Sequence, residues 1–200
     1  MTLIDELEAL RVLAILRRAD IDRVVEPLCD KLVSAGVRAI EVTLDQESSL
    51  PALRRLVAHA PPETWIGAGT VMSVEQVELA ADAGASFLVC PHVDVSLIAA
   101  AHRRGLEILP GVTSGTEVAT ALAAGAKALK LFPAGPLTPS YLQALRGPFP
   151  QTAFVPTGGI GVEQVQTWLD AGAAAVGLGG ALFDGDDVHS GLASLLRGPR

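Results

Sequence analysis

Lysine is scarce in this chain: three residues among 200, Lys31, Lys127 and Lys130, against twelve arginines. Cysteine is scarcer still. Cys29 and Cys90 are too few for a disulfide framework and fit a reducing compartment. Half the residues are hydrophobic, yet no uninterrupted apolar run approaches the roughly 18 to 20 residues that span a bilayer. The opening MTLIDELEALRVL carries acids ahead of its apolar part, where a secretory signal carries positive charge. A soluble cytoplasmic protein with no membrane partner is therefore expected. Lysines and arginines never cluster beyond a pair, and the net charge is −7, which argues against a nucleic-acid partner because a phosphate backbone demands a basic face. His59, His92, His102 and His189 show neither HxH nor HExxH spacing, so no metal is expected.

What is present is a repeat. A small residue or Arg, then Gly, then a short apolar run recurs as AGVRAIEV (35–42), AGASFLVC (83–90), RGLEILPG (104–111), AGAKALKL (124–131) and AGAAAVGL (171–178). A glycine in the left-handed conformation ends a helix, and an unbroken apolar run after it reads as a strand buried on both faces. The glycines fall at 36, 84, 105, 125 and 172, so the spacings are 48, 21, 20 and 47. Each long interval is about twice a short one, and each holds a further candidate strand, WIGAGT (65–70) and AFVPTGG (153–159). With VLAILR (12–17) in front there are eight strands. Segments such as SVEQVELAADAG (73–84), TSGTEVATALAAG (113–125) and GVEQVQTWLDAG (161–172) have helical apolar spacing and open on Ser, Thr or Gly caps. Two hundred residues suit one domain, and alternating strand and helix units predict a single (β/α)8 TIM barrel over 1–200. A seven- or eight-stranded open sheet is the alternative.

Strand register turns the lysine shortage into a chemical question. Side chains alternate between faces, so residues three, five and seven after each capping glycine share one face. These are Ala39, Glu41 and Thr43 in one strand and Ala128, Lys130 and Phe132 in another, with Ile40, Val42, Leu129 and Leu131 opposite. Glu41 and Lys130 are thus expected inside the barrel, on the second and sixth strands. Val89 and Gly177 fall on equivalent rungs, and Gly177, having no side chain, leaves room between the charges. A structural ion pair is one reading. The other is catalytic: arginine stays protonated, whereas a lysine in a dry pocket can lose its proton and attack a ketone to form a Schiff base, with the glutamate moving protons. The residues alone point to an imine-forming barrel enzyme. Trp65 and Trp168 read as packing anchors, Lys127 as solvated, and Cys90 as a possible pocket wall without a nucleophilic role.

These residues resemble the KDPG/KHG aldolase family, and within it the 2-dehydro-3-deoxy-6-phosphogalactonate (KDPGal) aldolases. The resemblance runs through AILR (14–17), IEVTL (40–44), IGAGTV (66–71), LKLFPAGPLTPSYLQAL (129–145), PTGGI (156–160) and WLDAGAAAVGLGGALF (168–183). It implies that Lys130 is the Schiff-base lysine and Glu41 the general acid/base, that Thr70 meets the pyruvate carboxylate, and that Thr157 lines the same pocket. It also implies a small-molecule partner, a 2-keto-3-deoxy-6-phospho sugar acid cleaved to pyruvate and glyceraldehyde 3-phosphate, with no cofactor and a homotrimeric assembly. Backbone amides of Gly158, Gly159, Gly179 and Gly180 are expected to hold the phosphate, with Arg17 as the nearest side chain. Two positions depart from the family pattern. Many members read EVTLRT where this chain has EVTLDQ, so Asp45 replaces an arginine that the KDPGal branch also lacks. Ala181 stands where many relatives have Ser. Remaining readings are an aldolase for 4-hydroxy-2-oxoglutarate or an unphosphorylated sugar acid, a non-aldolase phosphosugar barrel such as an epimerase, and a non-catalytic sugar-acid binder.

Overall fold

The computed structural model describes residues 3–17, 21–185 and 187–196. Helices and strands alternate through most of the chain. The strands are β1 (Val12–Leu16), β2 (Ala39–Thr43), β3 (Trp65–Gly69), β4 (Phe87–Val89), β5 (Glu107–Leu109), β6 (Gly111–Val112), β7 (Ala128–Leu131), β8 (Ala153–Pro156) and β9 (Val176–Leu178). Between them lie α2 (Ile21–Ala35), α3 (Ser49–His59), α4 (Val74–Asp82), α5 (Val95–Arg103), α6 (Gly115–Ala123), α7 (Pro139–Arg146) and α8 (Val165–Asp170). Gly36, Gly84, Gly105, Gly125 and Gly172 all have φ between +70° and +102°, the left-handed geometry that the repeat demands of its capping glycine. At the other ends, the Ser73 side chain accepts from Gln76 N–H, and Ser114 forms a reciprocal capping box with Glu117.

Every pair between neighbouring strands β1 to β9 is parallel. They form a curled six-stranded sheet in the order β5-β4-β3-β2-β1-β9 and a three-stranded sheet, β6-β7-β8. The apolar run after Gly105 in RGLEILPG reads as one strand; Pro110 divides it, because a proline has no N–H to continue the ladder. Its carbonyl still accepts from Lys130 N at 2.9 Å, while Cys90 N donates to Leu109 O at 3.0 Å on the other side. Between β8 and β9 there is one isolated parallel bridge, Thr157 to Gly177.

The two strand faces separate as the register predicts. Ile40, Val42, Leu129 and Leu131 belong to the large outer core beneath the helices. Leu13, Ala39, Phe87, Val89, Leu109, Ala128, Val155 and Ala175 form a second cluster enclosed by the curled strands. Leu3 and Leu7 enter that cluster from α1 (Leu3–Leu10), a helix absent from the sequence reading, which plugs the N-terminal ends of the strands. Its first described amide, Leu3 N–H, donates to Glu107 Oε1 at 3.3 Å. The antiparallel pair β10 (Phe183–Asp184) and β11 (Asp187–Val188), and α9 (Leu192–Leu196), follow the repeat. No helix among the described residues is long and apolar enough to cross a membrane.

Candidate active site

Glu41 and Lys130 face one cavity of about 400 Å³ at the C-terminal ends of the strands. All five residues of β2 are buried, Glu41 completely, and Lys130 is only 5% exposed. The ion-pair reading fails here. Neither carboxylate oxygen of Glu41 has a hydrogen-bond partner, and among the described residues no ion pair within 4.0 Å joins it to Lys130. Lys130 Nζ lies 4.6 Å from the centroid of the Phe132 ring, whose π face favours a cation without holding a proton acceptor against it. Burial raises the Glu41 pKa, and the charges of Lys130 and Arg17 pull it back in part. The glutamate is thus poised to carry a proton, and both its oxygens are buried with their hydrogen-bonding capacity unused.

Room for this carboxylate comes from β3. A Cβ added at Gly69 would lie 1.6 Å from Glu41 Oε1, so any larger residue there displaces the acid. GAGT is conspicuous in the sequence for its threonine, yet it is its second glycine that seats Glu41. The room expected at Gly177 is already occupied. A Cβ there would lie 2.3 Å from Thr157 Oγ1, so the Thr157 side chain fills that space.

Arg17 is fixed on two sides. Its Nε lies 3.1 Å from Asp45 Oδ2, and its Nη2 donates to Thr70 Oγ1 at 2.8 Å. Thr43 Oγ1 donates to the other Asp45 oxygen at 2.7 Å. Thr70 has φ +55°, a left-handed conformation that a β-branched residue adopts only under local constraint, and such residues concentrate at functional sites. Asp45, which the sequence marks only as a departure from its relatives, is therefore the partner that orients Arg17. The clue lay in the order of the strands: β1 and β2 pair through Leu16 and Val42, which brings the residues just beyond their ends together. Asp45→Asn should raise KM for the substrate about two- to fivefold and leave kcat nearly unchanged, since a half-exposed pair contributes up to about 1 kcal/mol. Steady-state kinetics checks this, and an equal fall in kcat would place Asp45 in the chemical step instead.

The glycine loops complete the cavity. Gly158 and Gly159 have φ of +89° and +78°. A Cβ at Gly158 would press on the Phe132 ring at 2.9 Å, and one at Gly159 on Gly135 Cα at the same distance. Among the described residues their N–H groups find no acceptor. At Gly180 an added Cβ would meet nothing within 4 Å, and Ala181 beside it lines the cavity without a hydroxyl. Of the nine residues named from sequence, Arg17, Glu41, Lys130, Thr157, Gly158, Gly159, Gly179 and Gly180 share the lining, while Thr70 touches it through Arg17. Phe132, Ile15 and Ile160 are additional walls. Cys90 is not a pocket wall: it is buried in the outer core, away from the cavity lining, where desolvation pushes its thiol up to about 12. Trp168 is buried in the outer core and Lys127 is exposed, as read from the sequence.

The chain matches the KDPG and KHG aldolase family model over residues 3–193. Over 156 residues, 76% of this chain and 75% of the relative, it is 38% identical to the 2-dehydro-3-deoxy-6-phosphogalactonate aldolase of Escherichia coli strain K12. Over 169 residues, 84% of this chain and 74% of the relative, it is 39% identical to the 2-dehydro-3-deoxy-phosphogluconate aldolase of Pseudomonas aeruginosa. It superposes on a KDPG aldolase from Legionella pneumophila with a TM-score of 0.81 and 29% identity, covering 98% of this chain and 97% of that one; that structure holds pyruvate captured at low pH as a covalent carbinolamine. With an acid and an amine converging without contact in one cavity, and likeness of this extent to aldolases, the chain belongs to the KDPG and KHG aldolase family.

Proposed function

We propose that this chain is a class I aldolase that cleaves a 2-keto-3-deoxy-6-phospho sugar acid, the galactonate or gluconate compound, to pyruvate and glyceraldehyde 3-phosphate. The observation that carries the reading is the buried Glu41, whose two oxygens are unpartnered, across the cavity from the buried Lys130 amine. In its deprotonated form, Lys130 Nζ attacks the C2 ketone. Glu41 gives its proton to the carbinolamine hydroxyl, which leaves as water and yields the protonated imine. The Glu41 carboxylate then takes the C4 hydroxyl proton as the C3–C4 bond breaks, releasing the aldehyde. Its electron pair passes into the enamine of pyruvate. Glu41 returns the proton to C3, and water hydrolyses the imine.

Arg17, the strained Thr70 and Thr157 are assigned to hold the substrate's oxygens. The amides of Gly158, Gly159, Gly179 and Gly180 are assigned to the phosphate. The protein has no required metal or other cofactor in this mechanism. We further read the two sheets as one (β/α)8 barrel forming a single domain over 1–200, assembled as a homotrimer. Support for the barrel comes from Pro110, the single residue separating β5 from β6, and from the Thr157–Gly177 bridge between β8 and β9.

The phosphate assignment has its own test. With charge-assisted contacts from Arg17 and the loop amides worth about 3 kcal/mol, the 6-phosphorylated substrate should exceed its unphosphorylated analogue in kcat/KM by about 10²-fold. The measurement is kcat/KM for the galactonate and gluconate phosphates, their unphosphorylated forms and 4-hydroxy-2-oxoglutarate, side by side. Preference for 4-hydroxy-2-oxoglutarate or an unphosphorylated acid would remove the phosphate from the glycine loops while leaving the imine chemistry in place.

A further inference from the structure

A second cavity, of about 390 Å³, lies at the opposite end of the strands. Its walls come from the segments that lead into β1, β8 and β9: Ile4, Glu8 and Arg11; Arg146 and Pro150 to Ala153; and Leu169 and Gly172 to Ala174. None of these residues lines the site of Glu41 and Lys130.

Three observations give this cavity a chemical character. First, Arg146 Nε is shut off from water and has no hydrogen-bond partner, and no carboxylate among the described residues pairs with this guanidinium. The group is seated by design of the backbone: a Cβ at Gly172 would fall 1.9 Å from Arg146 Nη1, and Gly172 has φ +94°. Second, Arg11 reaches the same cavity from a left-handed backbone, φ +66°, with its Nη2 donating to Gln166 Oε1. Third, Thr152, only 8% exposed, adds a hydroxyl-bearing side chain to the same lining. A guanidinium that lines a cavity with no carboxylate partner among the described residues is matched by an oxyanion, which its planar fork can bind through two N–H groups at once. Two arginines against one acid, Glu8, leave the lining with a net positive charge, which favours an anion.

We propose that this cavity is a binding site for the oxyanion of a small organic acid, a carboxylate or a phosphate ester, held by Arg146 and Arg11 with Thr152 beside them. It is separate from substrate cleavage. Because Ile4, Glu8 and Arg11 flank or belong to the plug helix α1, whose Leu3 and Leu7 fill the inner cluster, an occupied site bears directly on the floor of the fold.

The test is residue-resolved amide NMR of the intact protein, titrated with inorganic phosphate in one arm and succinate in the other. Saturable shifts at Thr152, Ala173 and Ala174 in either arm are expected, and the arm that saturates first identifies the oxyanion. Shifts at Gly158 and Gly159 report on the other cavity and are read separately. Arg146→Gln should weaken the Thr152 response at least about tenfold, the loss of one charge-assisted contact. It should leave aldol cleavage at its original rate. Arg11→Gly, which suits the left-handed backbone, provides the same readout should Arg146→Gln fail to fold. The proposal is overturned if neither anion produces saturable shifts at these amides, or if the shifts survive substitution of both arginines.

Discussion

Lys130→Arg is expected to lower kcat/KM by at least about 10⁴-fold, the order reached when a covalent nucleophile is removed. The substitution is informative because it changes so little else. Arginine keeps the positive charge, and its guanidinium can occupy the face of Phe132 where Nζ now lies 4.6 Å from the ring centroid. What arginine cannot do is lose its proton and add to a ketone. Lys130→Met removes the charge as well and should be equally inactive if the amine is the nucleophile. Steady-state cleavage assays on both variants, with circular dichroism to show that they fold, decide the matter. If Lys130→Arg kept activity within about tenfold, the residue would be an electrostatic support and the imine mechanism would be wrong.

Glu41→Gln should slow turnover by about 10²- to 10⁴-fold while pyruvate still binds, because the amide keeps the shape of the acid and cannot shuttle a proton. Stability should move the other way. Burial raises the folded-state pKa of Glu41 above its unfolded value, so between those two values the folded state binds more protons and stability falls as pH rises. Glutamine removes that dependence. Glu41→Gln should therefore be at least as heat-stable as the parent at pH 8, with the difference in its favour growing as pH rises above the ordinary carboxylate range. A structural ion pair predicts the opposite, because removing one partner leaves Lys130 buried and alone. Thermal melts of parent and variant at pH 5 and pH 8 separate the two. A variant that turned over at the parental rate would remove Glu41 from the proton path.

Much of this was legible in the amino acids, and the parts that were not have physical reasons. Capping glycines were readable because few residues besides glycine take φ near +90° without cost, and Gly36, Gly84 and Gly125 all do. Strand period alone put Glu41 and Lys130 on the enclosed face, since alternation along a strand is a local rule. Contacts between strands are not local. That Gly69 makes room for Glu41, that Thr157 occupies the space beside Gly177, and that Asp45 holds Arg17 all depend on which strand lies next to which. The plug helix α1 is not legible in the sequence although Leu3, Leu7 and Leu10 have helical spacing, because eight residues with three acids read equally well as a polar lead-in. Pro110 was in plain view within RGLEILPG, and its missing N–H was reason enough to expect a break in the fifth strand.

Borohydride reduction in the presence of pyruvate, followed by intact mass and peptide mapping, tests the central claim most directly. The account predicts one reduced pyruvate adduct per chain, on Lys130, lost in Lys130→Arg and retained at lower rate in Glu41→Gln. An adduct on Lys31 or Lys127, or none at all, would contradict it.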